Sequence, residues 1–180
     1  MDNQALKNHI ALLAHYNHQM NRSIFTVLSK LDAPEISKDR GAFFGSIIGT
    51  LNHILVGDII WLKRFTMHPA NFSSLKPVKE LTLPASLSDI IHPDIAPLDV
   101  ARKTMDTVLI SFTEEAREAD YNMPLAYANT KGKTFKKNFA GLVLHLFNHQ
   151  THHRGQVSTL LNQQGIDIGN TDLLTLIPEI

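Results

Sequence analysis

The chain has 180 residues, 43% of them hydrophobic, which suffices for one domain with a real core and excludes a disordered tail. Seventeen basic residues balance seventeen acidic ones, so no global field favours nucleic acid or an anionic membrane. Cysteine is absent, which excludes disulfides, thiolate nucleophiles and cysteine-ligated metals, and leaves histidine and carboxylate as the only metal ligands.

The opening MDNQALKNHI lacks a basic-then-apolar leader, and no apolar run reaches the roughly 18–20 residues of a membrane span. The expectation is a soluble, cytoplasmic protein with no membrane partner. Residues 3–31 place Leu6, Ile10, Leu13, Met20, Ile24, Val27 and Leu31 at alternating steps of four and three, the stripe of an amphipathic helix. Asp2 or Asn3 can cap it and Pro34 follows it. Asn17 fills the missing stripe position, either as a buried hydrogen-bonding residue or beside a polar site, while His15 and His18 fall off the stripe and are expected in solvent.

A second helix is expected over 39–65, capped by Ser37 or Asp39. Its apolar residues, from Phe43 and Phe44 to Phe65, point almost all the way round, so it needs cover on more than one side. A second subunit across a two-fold axis would supply that cover, which predicts a homodimer; the alternative is that the following connection lies over it. That connection, 67–97, holds five prolines and no clear helical period, with Leu75, Leu81, Leu83 and Leu87 available to pin it. Its length permits a crossover between non-adjacent helices.

A third helix, 98–119, starts near Pro97 and carries Leu98, Ala101, Met105, Val108 and Phe112 at helical spacing. It reads as packing, with Glu114, Glu115, Glu118 and Asp120 as a solvated end. Alternating apolar residues around Asn129–Gly132 predict a short β-hairpin between 123 and 137, its lysines solvated. A fourth helix, 137–163, ends before Gly165, and the apolar tail beyond it is expected to pack back. The fold class is therefore all-α: four long helices with a crossover between the second and third and a hairpin before the fourth, as one domain over 1–180.

The chemistry concentrates in the fourth helix, where four of the ten histidines lie between His145 and His153. A projection centred on His149 gathers Leu142, Leu146, His153, Gln156 and Leu160 on its side, so the buried stripe is expected to run through His149 and His153. Two imidazoles at i and i+4 can reach one metal ion. His145 and His152 fall on the flank. HxxxH alone is weak, and it lacks the glutamate of HExxH, which excludes the zinc-protease pattern. A third ligand must come from another helix, and His53, amid apolar neighbours with Gly57 and Ile60 on its face, is the candidate. Arg154 and Gly155 could respectively pair with a carboxylate and allow close helix packing.

The stretches LNHILVGDIIWLKRF (51–65), FNHQTHHRGQVSTLLNQQG (147–165) and NTDLL (170–174), preceded by HYNHQMN (15–21), resemble in order the DinB family of bacterial proteins. The resemblance implies a four-helix bundle, usually dimeric, that holds a divalent metal through His53, His149 and His153. Zinc or nickel comes first among the metals, with iron, manganese and cobalt also accepted by three imidazoles. Such a site keeps a coordination position open, where a water or a thiol can be acidified. Tyr16, Asn17, Asp58 and Gln156 are candidates to orient the ligands or gate the opening, each with an alternative reading as cap, ion-pair partner or core hydrogen bond.

Two functions follow. One, which the resemblance implies, is a metal-dependent enzyme of thiol S-transferase or hydrolase type, with a small-molecule thiol as substrate and no identifiable general base. The other is a non-catalytic metal-binding stress-response dimer. Zero net charge and the lack of a basic stripe disfavour a nucleic-acid partner.

Overall fold

A computed structural model describes residues 4–179, which are mostly helical with one two-stranded antiparallel hairpin. Four long helices, α1 (Ala5–Leu28), α3 (Ile47–Phe65), α5 (Ile95–Glu115) and α7 (Phe139–Asn162), enclose the core. α1 packs on α5 and α7, and α3 on α7 and α5. Three short helices, α2 (Ala33–Ser37), α4 (Lys76–Lys79) and α6 (Glu118–Tyr121), sit in the connections. Among the described residues no helix is long and apolar enough to cross a membrane.

α1 follows the predicted stripe, with Ile10, Met20, Ile24 and also Asn17 buried. Gln4 precedes it without a side-chain cap bond, and the expected caps Asp2 and Asn3 lie outside the described residues. Pro34 does not merely follow α1; it opens the short α2, where its fixed φ suits a first turn.

α3 begins at Ile47 rather than 39. Gly41 and Gly45 adopt positive φ (69° and 72°), and Arg40 N donates to Gly45 O at 2.8 Å, closing a tight turn. Asp39, expected as a helix cap, instead accepts from Gly41 N within that turn. Ser46 is the true cap, its Oγ accepting from Gly49 N at 3.1 Å. Once started, α3 is buried nearly all round within this chain, with α7, α5 and the 66–94 connection lying over it. The burial that argued for a second copy is thus met by the alternative cover.

That connection is pinned as expected at Leu75, which is buried with Phe72 and Val78, whereas Leu81, Leu83 and Leu87 are exposed. The exposed stretch is held instead by backbone bonds: Asn52 Nδ2 donates to His92 O and His92 N to Asn52 Oδ1, both at 2.9 Å.

α5 carries its predicted apolar residues, but it is not plain packing, since Arg102 and Asp106 lie inside. Nor is its acidic end idle. Glu115 accepts from Ser73 N, Ser73 Oγ and Ser74 N at 2.7–2.8 Å, Glu118 accepts from Lys7 N at 2.9 Å, and the buried Asp120 accepts from Arg117 N at 2.8 Å and from its guanidinium at 3.1 Å.

The hairpin forms as expected: β1 (Pro124–Ala128) pairs with β2 (Thr134–Asn138), with Tyr127 opposite Phe135. Asn138 then caps α7 by accepting from Gly141 N. At the other end Ile166 N reaches Leu161 O and Gly165 N reaches Asn162 O, a Schellman stop with Gly165 at φ 74°. The tail packs back only in part: Ile166 and Ile168 rest on the core, while Leu174 and Ile177 are exposed.

Candidate metal centre

His53 from α3 and His149 and His153 from α7 meet, with one ring nitrogen of each lying within 4.8 Å of the others. The facing pair is His53 Nε2 and His149 Nε2, 2.9 Å apart. Nitrogens coordinated at about 2.0–2.1 Å to one tetrahedral ion stand about 3.3 Å from each other, so small side-chain adjustments bring this pair onto a common cation.

The outward nitrogens set which inner ones are free. His53 Nδ1 lies 2.7 Å from Leu87 O, and a carbonyl only accepts, so Nδ1 carries the proton and Nε2 presents a lone pair inward. His153 Nδ1 is 2.8 Å from Gln156 Oε1, which likewise leaves Nε2 for the centre. Such carbonyl partners fix tautomer and ring orientation in histidine metal sites.

His149 is positioned by shape. A Cβ on Gly57 would lie 2.7 Å from His149 Cε1 and 3.2 Å from its Nδ1, so the ring rests against a stretch of α3 that only glycine leaves clear. Gly57 stands one turn beyond His53, so a single turn of α3 supplies one imidazole and the recess for another. Phe44 closes a side: its ring stacks on His53 with centroids 3.8 Å apart and meets His153 edge-on at 5.6 Å.

Burial lowers the pKa of all three imidazoles. His149 is pushed down to about 3, first by burial and then by its neighbours His153 and His53. Burial lowers His53 against the bond to Leu87, and lowers His153 against the bond to Gln156. Near neutral pH the rings are uncharged, the form in which imidazole binds a cation. The donor set fits a divalent ion, and these three residues would hold it.

Of the four candidates for orienting roles, only Gln156 touches a member of the triad. Tyr16 donates to Thr171 O at 2.6 Å and ties the tail to α1. Asn17 and Asp58 belong to a buried polar network that joins all four long helices. Asp58 is bonded by Arg102 and, at 2.8 Å, by Gln150 Nε2. Arg102 Nε also reaches Asp106 at 3.0 Å, and Asn17 and Asn21 donate to the same carboxylate. Arg154 bonds Asn17 and Gln150, which relay it to the two aspartates. Burial pushes Asp58 up, opposed by Arg102 and Gln150 and reinforced by Asp106.

Arg154 therefore pairs with carboxamides and with Thr151 rather than with a carboxylate. Gly155 faces open space, so it does not serve close packing. α7's buried stripe includes His153, as expected, but it also runs through Gln150 and Arg154, and His149 lies half-buried at its edge. His18 is also not simply solvated: it is half-buried, with Nδ1 3.6 Å from Asp106 Oδ2. His145 packs edge-on against Trp61 at 5.0 Å, and exposed His152 lies 3.3 Å from Gln156 Nε2.

The family model for the DinB family matches residues 1–179. The chain is similar to Protein DinB of Bacillus subtilis (strain 168), 25% identical over 165 residues that cover 89% of this chain and 88% of that protein.

Proposed function

The chain belongs to the DinB family, and from that membership and the meeting of three imidazoles we propose that it binds a divalent metal at an open three-histidine centre and acts as a metal-dependent enzyme of thiol S-transferase or hydrolase type. On this reading the four long helices form a four-helix bundle whose α3–α5 crossover brings Leu87 over the site. The observation that carries the proposal is the inward set of Nε2 atoms on His53 and His153, each fixed by an outward Nδ1 bond, facing the recessed ring of His149.

A bound divalent ion would supply a Lewis acid that acidifies a water or a thiol. The rest is the work of the chain. Leu87 O and Gln156 Oε1 orient two imidazoles, Gly57 admits the third, and Phe44 shields one side from water. Three protein ligands leave a coordination position for substrate, the pattern of catalytic rather than structural sites. Zinc and nickel are the first metals to try, because imidazole suits both.

The test is thiol consumption with an electrophile by metal-loaded protein, compared with the chelator-treated chain and His149→Ala. Turnover that disappears in both while helical content persists supports the enzyme. Melting on metal removal, with no turnover of any thiol or ester offered, favours the non-catalytic metal-binding reading.

A further inference from the structure

Toward the C-terminal end of α3 lies a cavity that the metal reading does not use. It measures about 370 Å³ and is bounded by the end of that helix, residues 83–85 of the connection and residues 128–130 at the hairpin turn. That size falls within the range of small-molecule sites. Lys63 and Arg64 both line it. Lys63 follows His53 by about 15 Å along the helix axis, so the cavity and the triad are separate places.

The donors around this cavity are uncommitted. The Arg64 guanidinium is held against two rings, 4.5 Å from the Trp61 centroid and 5.1 Å from that of Tyr127. Aromatic faces settle the position of an arginine and leave its planar fork of donors free. Burial pushes the Arg64 pKa down, opposed by Tyr127, and among the described residues no carboxylate pairs with it and no acceptor takes its side-chain N–H groups. Buried Arg102, by contrast, spends its donors on Asp58 and Asp106. Lys63 gives one N–H to Lys79 O at 2.7 Å and keeps the others. At the hairpin turn Asn129 Oδ1 accepts from Lys131 N at 3.0 Å and from Lys133 N at 2.9 Å. Those bonds identify the oxygen of the carboxamide and leave Nδ2 as its unused end.

A cation in the last turn of a helix can simply offset the dipole. Arg64, however, bonds none of the last-turn carbonyls and lies on the rings, while Lys63 reaches across to Lys79. Among the described residues none that lines the cavity is acidic, and Met67 and Leu83 bring exposed apolar side chains to its walls.

We propose that this cavity binds a phosphate monoester of a small apolar alcohol, its head held by Arg64, Lys63 and Asn129 Nδ2 and its apolar body lying against Met67 and Leu83. Two cations match a doubly charged head better than a single carboxylate. Apolar walls beside them match an organic ester better than inorganic phosphate. The inference stands apart from the metal reading, which neither supplies nor requires this ligand.

The probe is phenyl phosphate, titrated calorimetrically into the full-length chain at low ionic strength after chelator treatment, so that no bound metal competes for the phosphate. Trp61 is the chain's single tryptophan and touches the guanidinium, so its emission reports the same event. Saturable binding is expected, at least about tenfold tighter than that of benzoate or of inorganic phosphate. Arg64→Met should weaken it at least about tenfold, and Arg64→Lys by less. Asn129→Asp keeps the acceptor of the turn but replaces the donor by a carboxylate, and should also cost about tenfold. Circular dichroism verifies that the variants keep their helices. The proposal is overturned if phenyl phosphate does not saturate, if benzoate or inorganic phosphate binds as tightly, or if Arg64→Met or Asn129→Asp leaves the affinity within twofold.

Discussion

Gly57 and His149 occupy one space: the imidazole lies where a glycine side chain would begin, with Cε1 2.7 Å from that point. Because the atoms met belong to a ring packed between helices, that ring yields by turning out of the centre. Gly57→Ala should therefore retain the helical fold and lose metal affinity by about 10–100-fold, the range for residues that orient metal ligands. Competition of the variant and the parent chain against a chromophoric chelator measures this.

Gln156 acts on His153 through one hydrogen bond at 2.8 Å. Gln156→Leu removes the acceptor, frees the ring to rotate, and should weaken metal binding by about tenfold or more. Gln156→Glu keeps an acceptor at that place and should largely restore it. Calorimetric zinc titration of both variants distinguishes orientation from bulk.

The buried ion pair between Asp58 and Arg102 is a different kind of contact, since it ties α3 to α5 without touching the triad. Asp58→Ala leaves a buried guanidinium short of a partner and should cost about 3–5 kcal/mol. The loss should appear equally with and without metal, whereas loss of a triad histidine should lower the melting temperature mainly of the metal-loaded form. Thermal unfolding of both forms separates the two.

Glu115 fastens the connection to α5. Burial works against its charge, but bonds from Ser74 and Ser73 outweigh this and hold its pKa down to about 2, from 4.5. In acid the unfolded chain takes up this proton before the folded one does, so the stabilisation is present above pH 4.5 and is lost as pH falls from there toward about 2. Glu115→Gln should lower stability at neutral pH and show a flatter decline across that acid window. Urea unfolding at a series of pH values checks the slope.

How far the sequence led depended on which residues announce themselves. His53, His149 and His153 were legible because imidazoles on apolar helices are conspicuous and the i, i+4 spacing is a physical constraint. The partners Leu87 and Phe44 were not, since one acts through its backbone carbonyl and the other through a turn read as helix. Gly41 and Gly45 were the signal for that turn. Gly57 had been placed on the face of His53, but the need for a glycine there appears only once α7 is packed against α3. The buried network was legible only in part: Asn17 and Asp58 stood open as a buried hydrogen-bonding residue and an ion-pair partner, but Arg102 and Asp106, which continue the stripe through Leu98, Leu109 and Thr113 by steps of three and four, are hidden in a helix that reads as plain packing. Centring α7 on His149 also turned the stripe away from Gln150 and Arg154.

The most direct measurement is zinc titration of the chelator-stripped chain, followed by X-ray absorption of the loaded protein. The account predicts a single ion per chain with three imidazole ligands, and affinity lowered by at least about 100-fold in each of His53→Ala, His149→Ala and His153→Ala while the helices persist. Equal binding by a folded triple variant, or no binding by the parent chain under excess zinc and nickel, would contradict it.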